Sequence, residues 1–544
     1  MKPVRIAVFP VEQFSRYRRL FEGLSELYSI QFEPRAEADF AGCSAALLFG
    51  VARSEAERVA NSGVRCVAWI KEQPLPVQSA AAHVLINSVP CVDPCLRGKT
   101  LRDRSIDQVR PLKAKTGDAV VATKSDDILW IHRDLENSSL DLLGVDPPCL
   151  TESEYLSEFL QRDNCMRLLP LLHCLRGLSP WRKPALRACL MFDDPNLHWK
   201  SYGYIRFKEL AEHAGKHNYH ASFATVPFDG WYVHRATAEL FRENKSRLSL
   251  LVHGNNHTFA ELAQTYRNGD QRALMAQALQ RIEKLEKRSG LEISRVMAAP
   301  HGGCSADMAA TLLEVGFEAA CISRWSLLRH NPIQWYPTIA LDLADFLAKG
   351  FPIIPRFKLA HDREVDIYLT ALLQKPIILV GHHEDLKGGL DLLGEFAARI
   401  NSVGKVTWMN MLSMARSNFC THQDGDSLHV KIYSRRVQIK VPVDVKSLLV
   451  ERAWLKAEEG ETLRWGAQHK GFQTISSYRR EPIPVEPGME IEVASVFAGS
   501  VDPHEVPPPR TSFWAAARRG FCEVRDRAKP ALDRFGKSAK KSIH

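Results

Sequence analysis

Between Leu186 and Phe419 this 544-residue chain repeats one pattern: a short apolar run followed by an amphipathic stretch. The runs are Ala188 to Phe192, His220 to Ala224, Leu248 to His253, Val296 to Ala299, Ala319 to Ile322, Ile377 to Val380 and Lys405 to Met409. Strands apolar along their whole length are buried on both faces, as in parallel sheets flanked by helices. Seven such runs within 186–419 predict an α/β unit, a deformed or incomplete β/α barrel. The polar residues Asp193, Asp194, His253, His257, His301, His382 and His383 fall at or just beyond the C-terminal ends of these runs, where barrels build their sites.

The flanks have a different character. Residues 1–115 alternate strand-like runs (Val4 to Phe9, Tyr28 to Phe32, Ala45 to Phe49, Val64 to Trp69, His83 to Ile86) with helical ones, which predicts an N-terminal open α/β domain with a parallel sheet. Their loops carry neither a G-x-G-x-x-G nor a Walker sequence, so nucleotide binding has no support. Residues 116–185 read as a connector containing a hairpin near 118–131. Residues 420–505 alternate apolar and polar positions, as in Leu428-His-Val-Lys-Ile-Tyr, and predict a small β-sandwich. A Pro-rich spacer and a basic tail, 506–544, complete the chain.

Charge narrows the partners. The formal net charge is +9, but from Arg510 onward ten Lys and Arg face only Glu523, Asp526 and Asp533, so the body is nearly neutral and no nucleic-acid-binding face is expected. In the tail Trp514, Ala517, Phe521, Val524, Ala528, Leu532 and Phe535 recur at helical spacing. That pattern predicts weak, salt-sensitive attachment of 511–544 to an anionic membrane surface, against the competing expectation of a helix packed on the body with its basic face solvated. The apolar run at Val4 to Phe9 is too short for a signal-peptide core, no apolar stretch reaches about 18 residues, and the 12 cysteines are scattered. A cytoplasmic protein, at most peripheral at the inner face of the membrane, is the expectation.

The chemistry lies in two short segments. Adjacent carboxylates at a strand end, Asp193-Asp194, repel unless a positive charge stands beside them, and a bound metal is one solution. His253-Gly-Asn-Asn-His257 offers two imidazoles that can converge on one cation if the segment turns into helix after the strand. Gly254 occupies the glutamate position of the zincin H-E-x-x-H, so a base must come from elsewhere, and the Asp pair is the natural supplier.

Phe192-Asp193-Asp194, His253-Gly-Asn-Asn-His257, Pro300-His301-Gly302 and Val380-Gly381-His382 together resemble four motifs of the polysaccharide deacetylase (NodB-homology) family, also called carbohydrate esterase family 4. The resemblance covers 186–419. It implies a NodB-like deformed barrel, a divalent metal on Asp194, His253 and His257, Asp193 as base, His382 as general acid and a groove wall at Pro300 and His301. Zinc is the first choice for two nitrogens and one oxygen, although iron, cobalt and nickel suit such a set too. The implied activity is removal of an N-acetyl group from a sugar, a glycan precursor or a lipid-linked glycan. Trp199 and Tyr202, with other aromatics near the motifs (Phe228, Trp231, Tyr232, Trp325, Trp335, Tyr336), are candidates for a sugar-stacking groove, and His383 borders it.

Two positions depart from the family. The Arg that usually pairs with the base is replaced by Ala298, leaving Arg324 or Arg356 to reach it, and two histidines, His382 and His383, stand where one is usual. Strand alternation with Val380 favours His382. Competing functions are hydrolysis of a cyclic amide, a non-haem Fe(II) oxygenase built on two His and one carboxylate, and a non-catalytic carbohydrate-binding relative. Asp193 and His382 have no role in the oxygenase.

Overall fold

The computed structural model describes residues 4–77, 83–267, 269–454, 461–467, 473–475, 482–497, 499–509 and 513–541. The chain divides into two compact units, one formed by 1–182, 334–342 and 360–375, the other by 183–333, 343–359 and 376–544.

The first unit holds a nine-stranded sheet. Strands Ile30–Pro34, Val4–Phe9, Ala45–Val51, Arg65–Ile70 and Ser139–Leu143 run parallel, and Asp127–Asp134, Ala119–Lys124, His83–Ile86 and Thr100–Arg102 continue it antiparallel. The expected open parallel sheet is therefore half of a mixed one. The expected connector supplies three of its strands, because the hairpin at 119–134 returns through Ser139–Leu143 to pair with Arg65–Ile70, burying a face that a free hairpin would leave wet. After the hairpin the connector forms a short 3₁₀ turn, Leu156–Phe159, and a helix, Leu169–Arg176.

In this sheet His132 lies between Asp141 (2.8 Å) and Asp134 (3.0 Å). Burial alone would lower its pKa, but the carboxylates, Asp141 foremost, push it up to about 9. A folded pKa above the unfolded value of 6.5 gives stability that is fully present below pH 6.5 and lost as pH rises through about 9. Unfolding of the protein in urea should show stability falling by up to about 3 kcal/mol across that window, and His132→Gln should flatten the fall.

The second unit contains a ten-stranded sheet and two four-stranded ones. In the large sheet the order is Asp345–Leu347, Phe351–Pro355, Ala319–Ile322, Ile293–Ala298, Leu248–His253, Ala221–Thr225, Leu186–Asp193, Ile377–Gly381 and Phe357–Lys358, with Val406–Trp408 also on Leu186–Asp193. No pairing among the described residues joins the two edges, so the sheet curls as a half-barrel, the deformed barrel expected. All seven apolar runs are strands in it, and all run parallel. Strand alternation puts Cys189, Met191, Leu251, Val296, Ala298, Ala319, Cys321, Ile354 and Ile378 into one core cluster, covered by Met411, Met414 and Ala415 of helix Met411–Arg416. The opposite face packs aromatics, with Phe192 on Phe223 at 5.5 Å and Phe207 on Phe223 at 5.4 Å.

The predicted sandwich is present: sheets Phe419–Asp424, Ser427–Ile432, Ser447–Arg452, Ile483–Pro484 and Arg436–Lys440, Glu490–Val496, Thr462–Ala467, Gln473–Ile475 share one core that includes Val430, Ile432, Val437 and Val493. Helix Phe513–Lys541 closes the unit. Thr511 and the side chain of Phe535 lie outside the described residues. No helix among the described residues is long and apolar enough to cross a membrane.

Candidate metal centre

Period-two alternation builds the site. Asp193 follows Met191, His253 follows Leu251, Arg356 follows Ile354 and His382 follows Val380, each two positions on, so each continues the same sheet face one layer beyond the core cluster. All stand at the C-terminal ends of parallel strands, where polar groups reach a common rim without interrupting the core.

Asp194, one residue on, is held at φ 72° and turns its carboxylate toward the two imidazoles. Its Oδ1 is 3.1 Å from His253 Nε2 and 2.7 Å from His257 Nε2, and one ligand atom from each of the three residues lies within 4.8 Å of the others. His253 Nδ1 is 2.8 Å from the carbonyl of Ala298; with Nδ1 donating there, Nε2 is left free to bind an ion. Two imidazole nitrogens and one carboxylate oxygen, buried or nearly so, suit a divalent cation.

His257 does not arrive on a helix as expected. Residues 254–260 form an irregular loop with Gly254 at φ 61° and His257 at φ 57°. The buried carboxylate of Glu261 organises it, accepting the backbone N–H groups of Asn255 (2.7 Å), Asn256 (2.8 Å) and His257 (3.2 Å). A Cβ at Gly254 would lie 2.3 Å from Glu261 Oε2 and 2.6 Å from Pro300, so the glycine is required twice over, by its φ and by its neighbours. Glu261 is a residue that sequence reasoning missed; its only signal is a charged residue four positions after the second histidine.

Arg356, not Arg324, is the arginine that reaches Asp193. Its Nη1 donates to Asp193 Oδ1 at 3.0 Å, both side chains being buried. Burial would raise the Asp193 pKa, but Arg356, with His253 and His382, holds it below the usual carboxylate value. Of the two arginines that the sequence left open as partners of Asp193, the structure brings Arg356 to it. Ala298 is fully buried in the core cluster, two strands from Phe351–Pro355, and the small side chain leaves the interior open to an arginine from that strand. Asp194 is likewise held well below its usual value, since His253 and His257 outweigh its burial.

The two histidines after Ile377–Gly381 part company. His382 is half exposed, with Nε2 3.9 Å from Asp194 Oδ2. His383 is fully buried under Gly203, where a Cβ would come within 2.2 Å of its ring, and packs edge-on against Tyr202 at 4.8 Å. Tyr202 is itself buried, its hydroxyl donating to the Asp193 carbonyl at 3.0 Å. Neither Tyr202 nor His383 offers a stacking surface; Tyr202 holds the Asp193 carbonyl and His383 packs against Tyr202. Pro300 is buried too, while exposed His301 stands 5.1 Å from the His257 ring, its pKa pushed down to about 4 by burial and by His257. Trp199, Trp231, Tyr232 and Trp325 are exposed in this unit, whereas Trp335 is buried and, with Tyr336, belongs to the other.

No family model matches the sequence, and no curated protein matches it significantly. Among solved structures, the chain is similar to the carbohydrate deacetylase Agd3, with a TM-score of 0.50 and 9% identity over 90% of this chain and 99% of that one. It also matches a family 4 carbohydrate esterase from Streptomyces lividans in complex with acetate (TM-score 0.24, 11% identity, 40% of this chain, 87% of that one) and a Streptococcus mutans CE4 esterase (0.25, 13%, 42%, 87%). Over nearly its whole length, then, the chain shares the fold of one carbohydrate deacetylase.

Proposed function

We propose that the second unit is a metal-dependent deacetylase that removes the acetyl group from an N-acetylated sugar or glycan precursor. The observation that carries this reading is the convergence of Asp194, His253 and His257 on one point beside a second, separately paired carboxylate. A divalent ion there, most simply zinc, would supply Lewis-acid charge that polarises an acyl oxygen and lowers the pKa of water.

The remaining work falls to the protein. Asp193, kept anionic by Arg356, accepts the proton of the attacking water. His382, on the open side of the site, donates a proton to the departing amine. His301, neutral near pH 7, walls the site beside His257 without adding a competing charge. Trp199 stands half exposed at the rim with Arg527 over one face of its ring at 4.0 Å, and the other face is the one that would take a sugar ring. The oxygenase reading uses neither Asp193 nor His382, so a dedicated base partner such as Arg356 speaks for hydrolysis.

The test is an acetate-release screen of the zinc-loaded protein over N-acetylated sugars, lipid-linked N-acetylated glycans and cyclic amides. Acetate from a sugar substrate, lost on chelation, is the expected result. Ring opening of a cyclic amide without acetate release would transfer the site to the other hydrolase class, and no turnover of any of them would favour a non-catalytic carbohydrate-binding role.

A further inference from the structure

The C-terminal helix Phe513–Lys541 is docked with its apolar side outward. The side chains that tie it to the body are mostly charged or polar, with Ala515 also buried. Arg519 pairs with Asp229, both buried. Glu523 accepts from Asn196, Asp526 lies 3.5 Å from His383, Lys529 binds Glu384 at 3.0 Å, and Asp533 takes Lys387 at 2.8 Å and the Tyr204 hydroxyl. Arg527 lies over the Trp199 ring at 4.0 Å. Asn196, Asp229 and Glu384 follow strands Leu186–Asp193, Ala221–Thr225 and Ile377–Gly381, so the helix is strapped across the end of the sheet that carries the metal centre.

What the helix leaves uncovered is a stripe. Phe513, Trp514, Phe521, Val524 and Leu532 are each 66–79% exposed, while Arg519 and Asp526 are 8% exposed. At 3.6 residues per turn the exposed apolar residues fall within a sector of roughly 100°, opposite the docked charges. Single exposed apolar residues are ordinary, but a contiguous row that includes Trp and two Phe marks a surface with a partner.

We infer that this outward face seats the protein on an anionic bilayer surface. Arg518 borders the stripe together with Arg525 and Lys529, which also pair with Asp526 and Glu384, and the segment from Arg510 carries ten Lys and Arg against three acidic residues. A symmetric pairing of two copies through the stripe would bring these cationic borders together, whereas anionic headgroups neutralise them as the aromatic and aliphatic side chains enter the interface. Sequence periodicity predicts one of two alternatives, a membrane-bound tail or a helix packed on the body with a solvated basic face. The structure combines them: the helix packs through its charges and keeps its apolar face free. The inference concerns this outward face alone and does not rest on the deacetylase reading.

Vesicle flotation of the full chain decides it, with vesicles of about 30% phosphatidylglycerol in phosphatidylcholine and of phosphatidylcholine alone, at low and high salt. The wild type should float with the anionic vesicles at low salt and be released at high salt. Phe521→Glu/Val524→Glu, at exposed positions, should cut the floated fraction by about tenfold or more with an unchanged melting curve. Phe513→Glu/Trp514→Glu, at the other end of the helix, should do the same. Equal flotation of wild type and both variants, equal flotation with neutral vesicles, or a dimer dissolved by the variants without any vesicle binding would each overturn the inference, the last in favour of a second copy. No turnover enters the assay, so its outcome is independent of whether the metal centre is a deacetylase.

Discussion

Replacing Asp193 by Asn should lower acetate release by roughly 10²- to 10⁴-fold, the usual worth of a general base, while Asp194→Ala, His253→Ala and His257→Ala should abolish it. The difference follows from where the side chains stand. Asp194 shares one oxygen between His253 and His257 and closes the three-atom set, so its loss leaves too few ligands. Asp193 projects instead to Arg356, and an asparagine there keeps an oxygen that can still accept from the guanidinium. His382→Ala should behave like the Asp193 change, because its ring is poised over the open side of the site. Initial acetate-release rates of the five variants check this. Equal losses in all five would assign both aspartates to the same task.

Arg356→Met should destabilise the protein by about 3–5 kcal/mol in urea unfolding, because it strands the Asp193 carboxylate in a buried site with its main cation removed. The double variant Asp193→Asn/Arg356→Met should recover most of that loss, since replacing both members of a buried pair is often close to neutral. A single-variant cost near that of a surface change, or a double variant no better than Arg356→Met, would mean that another group compensates Asp193. Arg356→Met should also lose turnover, and the double variant should not regain it; stability and activity are thereby separated.

Much of this was legible in the sequence because the active end of a parallel sheet writes its site as polar residues after apolar runs. Asp193, Asp194, His253, His257 and His382 all come together as that pattern suggests. Arg356 was legible only as one of two candidates. Its strand, Phe351-Pro-Ile-Ile-Pro355, holds two prolines, which local reasoning takes out of a sheet; the structure places it beside Ala319–Ile322 near the sheet edge. His383 and Tyr202 looked accessible because nothing local to either shows Gly203 pressing on the histidine ring. The tail shows the same limit on a larger scale: its apolar stripe is a local pattern, but the Arg519 to Asp229 pair that turns the stripe outward spans 290 positions. The mixed sheet of the first unit was missed because strand pairing between 139–143 and 65–70 is likewise non-local.

On the proposed reading, Asp194, His253 and His257 hold a divalent ion and Asp193 does not. Elemental analysis of the zinc-loaded, dialysed wild type, Asp193→Asn and Asp194→Ala measures it most directly. The structure predicts about one metal per chain in the wild type and in Asp193→Asn, and close to none in Asp194→Ala. Metal retained by Asp194→Ala, or lost from Asp193→Asn alone, would contradict it.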